Sequence, residues 1–279
     1  MGAFLASTAF SDFLDYRLGK TARKLGARLE AFVRNRFGRS SGASPFARSR
    51  YGVLLRANWR DRTFLYCHHA IYGRALADLL TTQGDRFCFL DIGANQGLYS
   101  LLAARNPACA GAIALEPVAG TFAILNENVR ANDMAARITT VDAALSDHAG
   151  TATISIDQHH SGTASLEQRA TQGAAATMVV RLIDHQALDT LVPAGLPLIV
   201  KVDVEGHEPV VIAELLKSRH AGAIRHIFYE VDKRWSDPDA LEAMLRAHGF
   251  ASFRKHGVGR HYDILASRDT PPASVAPAP

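Results

Sequence analysis

The stretch 89–100, FLDIGANQGLYS, places a carboxylate and two glycines at the end of a strongly apolar run. The run Phe87–Asp91 has the length and character of a buried strand, and Leu98–Arg105 has a helical pattern. Glycine lets the backbone approach a ligand closely, and the first N–H groups of the following helix have no partner within the helix. The stretch therefore predicts a strand–turn–helix unit with a polar ligand at the turn.

The same alternation of strand and helix continues along the chain. It predicts an α/β fold, Rossmann-like, with a mostly parallel sheet and helices on both faces. The further strand-like runs are Ala112–Glu116, Ile138–Asp142, Leu198–Asp203 and Ile224–Val231, and the further helical runs are Val118–Asn132, Glu208–Lys217 and Pro238–His248. Residues 151–156 and 177–183 are predicted to form an inserted strand pair, and residues 251–255 and 262–266 a closing hairpin.

Charge divides the chain into a basic arm and a mildly acidic body. Residues 1–62 contain 13 lysines and arginines but four aspartates and glutamates, whereas the whole chain of 279 residues carries a net charge of +4. We therefore expect an N-terminal helical extension at 1–60, a catalytic domain at 61–268 and a disordered tail at 269–279, the last because it is rich in proline and alanine.

The arm itself is amphipathic. Leucines and phenylalanines recur at three- and four-residue steps through residues 4–36, with basic residues between them, and a Gly/Ser/Pro linker follows at 38–45. Such a helix can dock on its own domain or lie on an anionic membrane surface, and the sequence leaves both interpretations open. The first residues lack the basic start of a signal peptide, and the three cysteines form no C-x-x-C pair. We expect a cytoplasmic protein, peripheral at the inner membrane face if the arm binds lipid.

Five consecutive strand-like runs end in an acid. In an open parallel sheet, ligands bind at the carboxyl ends of the strands, so these acids are expected at one edge. Asp91 precedes the glycine turn and would repel a pyrophosphate, but it would attract a cationic ligand with an amino group and a sulfonium. Glu116, at the end of the second strand, is placed to accept hydrogen bonds from two ribose hydroxyls; the alternative is a helix cap. Asp142 is placed to meet an adenine edge.

A second dense motif, KVDVEGHEPV, spans residues 201–210. Lys201, Asp203 and Glu205 alternate, so on an extended strand they would share one face. Charged groups at the end of an apolar strand are costly to bury unless they are paired or used. The motif therefore predicts either a structural Lys201–Asp203 pair or a functional site.

Four segments in this order and spacing resemble the FkbM-type S-adenosylmethionine-dependent methyltransferases: FLDIGANQGLYS, ALEPVAGTFAILNENVRAN, DAALSDHAGTATISI and LIVKVDVEGHEPVVI. The resemblance covers roughly residues 85–267. It implies the class I methyltransferase fold, a seven-stranded sheet with an antiparallel last strand. It also implies methyl transfer, usually to a hydroxyl of a sugar or of a polyketide-like metabolite in bacterial-type biosynthesis. RLID at 181–184 departs from the T-L-D that is common in the family.

The resemblance implies S-adenosylmethionine as the cofactor, and the residues of the glycine turn and the strand ends are expected to bind it. The predicted cofactor-binding residues are Asp91, Gly93, Asn95, Gly97, Glu116, Asp142 and Ala143. A hydroxyl acceptor needs a base near its proton. Asp203 and Glu205 are the first candidates, with Lys201 as an orienting partner and Glu230 as an additional acid; His207 and Glu208 are further candidates for the base.

No metal ion is predicted. Adjacent histidines in HHSG, 159–162, cannot easily bind one ion from a loop, and an ion held by Asp203 and Glu230 has no direct sign in the sequence. A nicotinamide dehydrogenase is a competing interpretation, but the turn lacks G-x-G-x-x-G. An RNA methyltransferase could use the basic arm, yet the arm has no aromatic-interleaved module, so no specific nucleic acid is expected. The expected partner is a hydroxyl-bearing acceptor, either a small molecule or a glycan. Its identity and the oligomeric state of the protein do not follow from the sequence.

Overall fold

The structure is a computed structural model that describes residues 21, 24–30, 32, 44–71, 73–156 and 176–269. Most of the basic arm, the HHSG segment and the tail from 270 onward lie outside the described residues. The chain divides into two compact units, one up to Arg74 and one from Ala75 onward. The predicted boundary between residues 60 and 61 therefore falls inside the first unit, and the extent of the catalytic domain stays a prediction.

The first unit contains a helical stretch, a hairpin and a short helix. Residues 24–30 are helical. Strands β1 (Phe46–Arg48) and β2 (Leu54–Arg56) pair antiparallel, and helix α1 (Arg62–His68) follows. The carboxylate of Asp61 caps α1, because it accepts a hydrogen bond from the backbone N–H of Phe64 at 2.6 Å.

Helix α2 (Arg74–Thr82) follows, and the boundary between the units falls after its first residue. The second unit continues as an α/β domain. Its elements are, in chain order, β3 (Phe87–Ile92), α3 (Leu98–Arg105), β4 (Cys109–Leu115), α4 (Ala119–Ala131), β5 (Ile138–Val141), β6 (Ala144–Leu145), β7 (Gly150–Ile156), β8 (Ala176–Ile183), α5 (His185–Leu191), β9 (Leu198–Val202), α6 (Glu208–Lys217), β10 (Ile224–Asp232), α7 (Pro238–Ala247), β11 (Ser252–His256) and β12 (His261–Ser267).

Seven strands form the main sheet, in the order β11-β12-β10-β9-β3-β4-β5. The five strands from β10 to β5 are parallel, and β12 is inserted antiparallel between β10 and β11. Strands β3 and β9 are buried along their whole length, as expected for central parallel strands covered on both faces. The predicted α/β class, the seven-stranded sheet and the antiparallel last strand are confirmed.

A second, three-stranded sheet has the order β6-β8-β7. Strands β7 and β8 pair antiparallel from Gly150 with Leu182 to Ile156 with Ala176, so the predicted inserted pair is present. The two-residue strand β6 joins β8 in parallel and connects this small sheet to the chain leaving β5. Among the described residues, no helix has both the length and the apolar character needed to cross a bilayer.

Candidate functional site

The carboxyl ends of the five parallel strands lie at one edge of the main sheet, and an acid stands at each end. Asp91 is the penultimate residue of β3, and Glu116, Asp142 and Asp203 directly follow β4, β5 and β9. Glu230 lies near the end of β10. The strand directions thus bring the five predicted acids to the same edge, as the parallel pattern requires.

The glycine turn after β3 packs closely against the backbone of Asp203 and the side chain of Leu125. Gly93 and Gly97 have φ angles of 75° and 82°, in the left-handed region that favours glycine. A Cβ on Gly93 would lie 2.0 Å from the carbonyl oxygen of Asp203, and one on Gly97 would lie 2.3 Å from Cδ1 of Leu125. Asn95 between them also has a positive φ, 50°. A side chain at either glycine would therefore push the turn away from its neighbours.

Glu116 binds the backbone of two connections, the glycine turn after β3 and the start of α4. Its Oε2 accepts the N–H of Asn95 and its Oε1 accepts the N–H of Val118, each at 2.9 Å. Val118 is the N-cap residue of α4, so Glu116 holds the chain just before that helix and is not itself the cap. Burial raises the pKa of Glu116 to about 7, although the two N–H groups and Lys201 oppose this shift. Each carboxylate oxygen has a second lone pair, so Glu116 can still accept bonds from ribose hydroxyls.

Asp91 and Lys201 form a buried charged pair across β3 and β9. They are partners in the strand register, and both side chains are buried. Asp91 Oδ2 accepts a hydrogen bond from the hydroxyl of Ser100 at 2.7 Å, and Asp91 Oδ1 lies 3.4 Å from Lys201 Nζ. Lys201 also donates to the carbonyl oxygen of Gly93 at 2.6 Å. The lysine of KVDVEG therefore supports the glycine turn directly.

Lys201 also approaches the acid that follows β9. Its Nζ lies 3.5 Å from Oδ2 of Asp203, so the structural pair considered for this motif is present. Burial alone would lower the pKa of Lys201, but the charges of Asp203 and Asp91 outweigh it and raise the pKa to about 12. The ammonium group therefore stays charged between two carboxylates.

The chain turns sharply after β9, and this corrects one detail of the predicted strand. Strand β9 ends at Val202, so Lys201 and Asp203 follow the extended alternation but Glu205 does not. Glu205 has a φ of 56°, and Gly206 follows with a φ of 108°. The reason is a buried carboxylate: Glu208, at the start of α6, accepts the N–H groups of Val204 and Gly206 at 3.1 and 3.0 Å. Glu208 shapes this turn.

Three carboxylates converge at the end of β9 and β10. One oxygen from each of Asp203, Glu205 and Glu230 lies within 4.8 Å of the other two. Burial raises the pKa of Glu230, and the nearby charge of Asp203 raises it further. Oxygen ligands of this kind also suit Mg²⁺. The prediction that no metal ion binds here stays a prediction.

His261, at the start of β12, is a member of this cluster that the sequence analysis missed. Its Nε2 forms a short hydrogen bond with Oε1 of Glu230, and its side chain is 56% exposed. This bond raises the pKa of His261 to about 9. Because 30 residues separate the two side chains in sequence, only the antiparallel pairing of β10 with β12 brings them together.

The remaining predicted residues lie near the edge with different surroundings. Asp142 has an exposed side chain, and its carbonyl oxygen accepts a hydrogen bond from Nε of Arg181 at 3.0 Å. Ala143 is buried. His207 is half-buried, and its Nε2 lies 3.1 Å from the hydroxyl of Ser146. His207 therefore contacts the segment after β6, and its partner is a hydroxyl.

The acids around the glycine turn fit a positively charged adenosine derivative and disfavour a pyrophosphate. The turn is flanked by two buried acids, Asp91 and Glu116, and Oδ1 of Asp91 accepts no hydrogen bond from the chain. Glu116 and the exposed Asp142 lie beyond β4 and β5, the positions where ribose and adenine are expected. The residues present at this edge therefore match the chemistry of S-adenosylmethionine.

Solved methyltransferase structures are similar to this chain at low sequence identity and with TM-scores below 0.5. The METTL16 methyltransferase domain is 17% identical over 71% of this chain and 66% of that chain, with a TM-score of 0.44. TrmK of M. capricolum, in complex with S-adenosyl-homocysteine, is 12% identical over 74% of this chain and 73% of that chain, with a TM-score of 0.42. Precorrin-6y C5,15-methyltransferase of Geobacter metallireducens is 15% identical over 70% of this chain and 87% of that chain, with a TM-score of 0.40.

None of the curated protein sequences compared with this chain matches it. The family model described as the methyltransferase FkbM domain matches residues 91–252, from the acid of the glycine turn to the start of the closing hairpin. That match covers more than half of the chain and includes both dense motifs, so the resemblance drawn from the sequence is confirmed. The protein belongs to the FkbM family and is an S-adenosylmethionine-dependent methyltransferase.

Proposed function

We propose that the protein methylates a hydroxyl group of a sugar, a glycan or a secondary metabolite. The observation that carries this proposal is the carboxylate cluster of Asp203, Glu205 and Glu230, next to a glycine turn that Lys201 supports. A hydroxyl is a weak nucleophile at neutral pH, and it needs a base within hydrogen-bond reach. Nitrogen or sulfur acceptors have less need of a carboxylate base.

The donor supplies an electrophilic methyl group on a positively charged sulfur. Asp91, Asn95, Glu116 and Asp142 would hold its amino, ribose and adenine groups, with Gly93, Gly97 and Ala143 giving close backbone contact. The protein's main contribution to such an in-line displacement is alignment of the two reactants. The acceptor oxygen forms a bond to the methyl carbon, the carbon–sulfur bond breaks, and the electron pair stays on sulfur.

The hydroxyl proton passes to a carboxylate of the cluster in this proposal. Asp203 is 24% exposed in its side chain and lies 3.5 Å from the Lys201 ammonium group. Glu205 is half-buried on the turn and can approach the same proton. Glu230 is hydrogen-bonded to His261 and would serve as an additional acid beside the carboxylate that takes up the hydroxyl proton.

The test uses S-adenosylmethionine with a labelled methyl group and a panel of acceptors. The panel contains nucleotide sugars, oligosaccharides, phenolic and polyketide alcohols, and transfer RNA as the competing class. Label in a base-stable ether product of a hydroxyl compound would support the proposal. Transfer of label to RNA alone, or to an amine alone, would contradict it.

We further propose that the basic arm contacts an anionic membrane from the cytoplasmic side. Leu25, Leu29 and Phe32 are 69%, 65% and 64% exposed, and their spacing puts them on one side of the helical stretch. Ala27, on the opposite side, is buried. The large apolar residues thus point to solvent beside the exposed Lys24 and Arg28. A peripheral helix that buries apolar side chains in lipid needs this arrangement.

Flotation with vesicles tests the membrane proposal on the full chain. We expect the protein to float with phosphatidylglycerol-containing vesicles and not with phosphatidylcholine alone, and added salt should weaken binding. The triple change Leu25→Ser, Leu29→Ser and Phe32→Ser should remove binding. Val179→Ser, at an equally exposed valine of β8, is the matched control and should bind like the unchanged protein. Equal flotation of the triple variant would contradict the proposal.

A further inference from the structure

Two histidines and a glutamate converge in the first unit, away from the methyl-transfer residues. One ligand atom from each of Glu30, His68 and His69 lies within 4.8 Å of the other two. Both histidines are buried, His68 at 8% and His69 at 4% exposure. Glu30 belongs to the helical stretch 24–30, and the histidines end helix α1. The cluster therefore joins two helical segments that are distant in sequence.

His69 supplies the second, independent sign of a ligand at this position. Its Nε2 is buried and has no hydrogen-bond partner. The nearest acid is Oε2 of Glu30 at 3.6 Å, which exceeds the length of a hydrogen bond. A buried polar atom without a partner costs free energy comparable to a lost hydrogen bond, so such atoms call for an explanation. An ion between His69 and Glu30 would provide one.

The two imidazole rings have a separation that suits a shared ion. Their centroids are 4.7 Å apart and their planes are nearly perpendicular, at 83°. Two imidazoles on one Zn²⁺ have centroids roughly 5 Å apart, since each nitrogen lies about 2 Å from the ion. This is possible for neighbouring residues because His69 leaves the helix as its C-cap. The ring of His68 is fixed by stacking on Phe64 and by an edge contact with Trp59.

We propose that Glu30, His68 and His69 bind a divalent transition-metal ion, with Zn²⁺ the best match to these ligands. Two imidazole nitrogens and one carboxylate oxygen are a common zinc ligand set, and three protein ligands leave a fourth position for water or another group. Tetrahedral zinc ligands are roughly 3.4 Å apart, and Nε2 of His69 already lies 3.6 Å from Oε2 of Glu30.

The ion would clamp the helical stretch 24–30 onto α1. Among the described apolar residues of that stretch, Ala27 is buried whereas Leu25 and Leu29 are exposed. So small an apolar contact gives little free energy to hold a helix in place. A metal bridge from Glu30 to the histidines would supply the missing attachment and keep the leucines facing outward. This inference does not depend on the methyl acceptor or on the chemistry of the transfer.

The test uses the full-length protein after removal of metal by a chelator. Titration with Zn²⁺ by calorimetry, and with Co²⁺ by visible absorption, should show one tight equivalent with the bands of a four-coordinate ion. His69→Gln should weaken binding by at least 100-fold, and Glu30→Gln by about 10-fold or more, the range typical of lost ligands and their support. If His69→Gln fails to fold, His68→Gln and Glu30→Gln provide the same comparison.

Two control variants make the assignment specific. His148→Ala removes an exposed histidine of the second unit, and Asp203→Asn disrupts the carboxylate cluster of the active site. Both should bind Zn²⁺ like the unchanged protein. Zinc binding that survives His69→Gln and Glu30→Gln, that disappears in Asp203→Asn, or that is absent from the unchanged protein would overturn the proposal.

Discussion

The two halves of the strand edge are built differently. On the donor half, at β3 to β5, the acidic groups bind the chain itself: Glu116 accepts two backbone N–H groups, and Asp91 binds Ser100 and Lys201. On the half proposed to bind the acceptor, at β9 and β10, two carboxylates of the turn after β9 and one of β10 lie within 4.8 Å of one another. Lys201 is the residue that contacts both halves.

This difference indicates a division of labour. A carboxylate fixed by backbone N–H groups keeps its place when the ligand leaves, so in the proposed function the half at β3 to β5 is preorganised for a rigid adenosine. Carboxylates that repel one another have pKa values that depend on their neighbours, as Glu230 shows, and such groups are suited to take up a proton. Changes on the acceptor half should therefore affect turnover, and changes on the donor half should affect donor affinity.

The largest expected effect is on turnover. Asp203→Asn and Glu205→Gln should each lower single-turnover methyl transfer by ~10²–10⁴, the contribution of general-base catalysis, with donor affinity nearly unchanged. Rates are measured with the best acceptor of the panel, with and without EDTA. Asp147→Asn, at an exposed acid, is the control and should keep the normal rate. Loss of donor binding with normal rates at saturating donor would show that Asp203 and Glu205 contact the cofactor and do not act as the base. A rate that falls with EDTA would show that a metal ion activates the acceptor hydroxyl.

Next in size is the loss of donor affinity on changing Glu116. Glu116→Ala should weaken binding of S-adenosyl-homocysteine by roughly 1.5–3 kcal/mol, because hydrogen bonds to a charged group are lost. Calorimetry measures the affinity, and thermal unfolding must be followed in parallel because the glycine turn and the start of α4 each lose a hydrogen bond to this carboxylate. Glu242→Ala, at an exposed glutamate of α7, should bind normally. Unchanged affinity in a folded Glu116→Ala protein would remove Glu116 from the cofactor site.

A smaller effect should appear as a pH dependence of donor binding. The pKa of Glu116 is about 7 in the free protein, so this carboxyl is mostly protonated at pH 6 and mostly ionised at pH 8. Ribose hydroxyls need the ionised acceptor, and affinity for S-adenosyl-homocysteine should therefore rise by up to roughly tenfold between these pH values. Glu116→Gln should lose the dependence. Its persistence in that variant would point to Glu208, whose pKa burial also raises to about 7.

The smallest effect concerns the arm. Changing Leu25, Leu29 and Phe32 to serine in the full chain should leave donor affinity within about twofold, because every predicted donor contact lies after residue 85. A chain starting at Ser49 is a poorer test, since it would lack β1, which pairs with β2. Calorimetry on the triple variant decides the matter. A large loss of donor affinity in a folded variant would show that the arm supports the donor half.

Much of the second unit could be predicted because its elements are long and strongly periodic. The bounds of α3 and α6 match the predicted ones, and each strand of the parallel sheet lies within three residues of its predicted range. Strands β1, β2 and β6 were not predicted, since two or three residues are too short for a periodic pattern. The short helices α1, α2 and α5 were also missed.

The site could be predicted as a set of acids at strand ends, but the partners of those acids could not. The pairing of Glu230 with His261, and that of Glu30 with His69, joins residues that are far apart in the chain. The position of Glu205 depends on the buried carboxylate of Glu208, which accepts the N–H groups of Val204 and Gly206 on either side of it. Such contacts depend on tertiary packing, and residue spacing does not record them. The roles proposed for the site residues remain predictions.

Gly93 has a consequence for anyone who wishes to redesign this enzyme. Its φ of 75° and the 2.0 Å approach of a hypothetical Cβ to the Asp203 carbonyl mean that the two turns touch through bare backbone. A grafted loop after β9, chosen to accept a different alcohol, must reproduce that carbonyl position or it will displace the methyl donor. Acceptor preference is therefore better altered from the outer members, Glu205 and His261, than by exchanging the whole 203–206 segment.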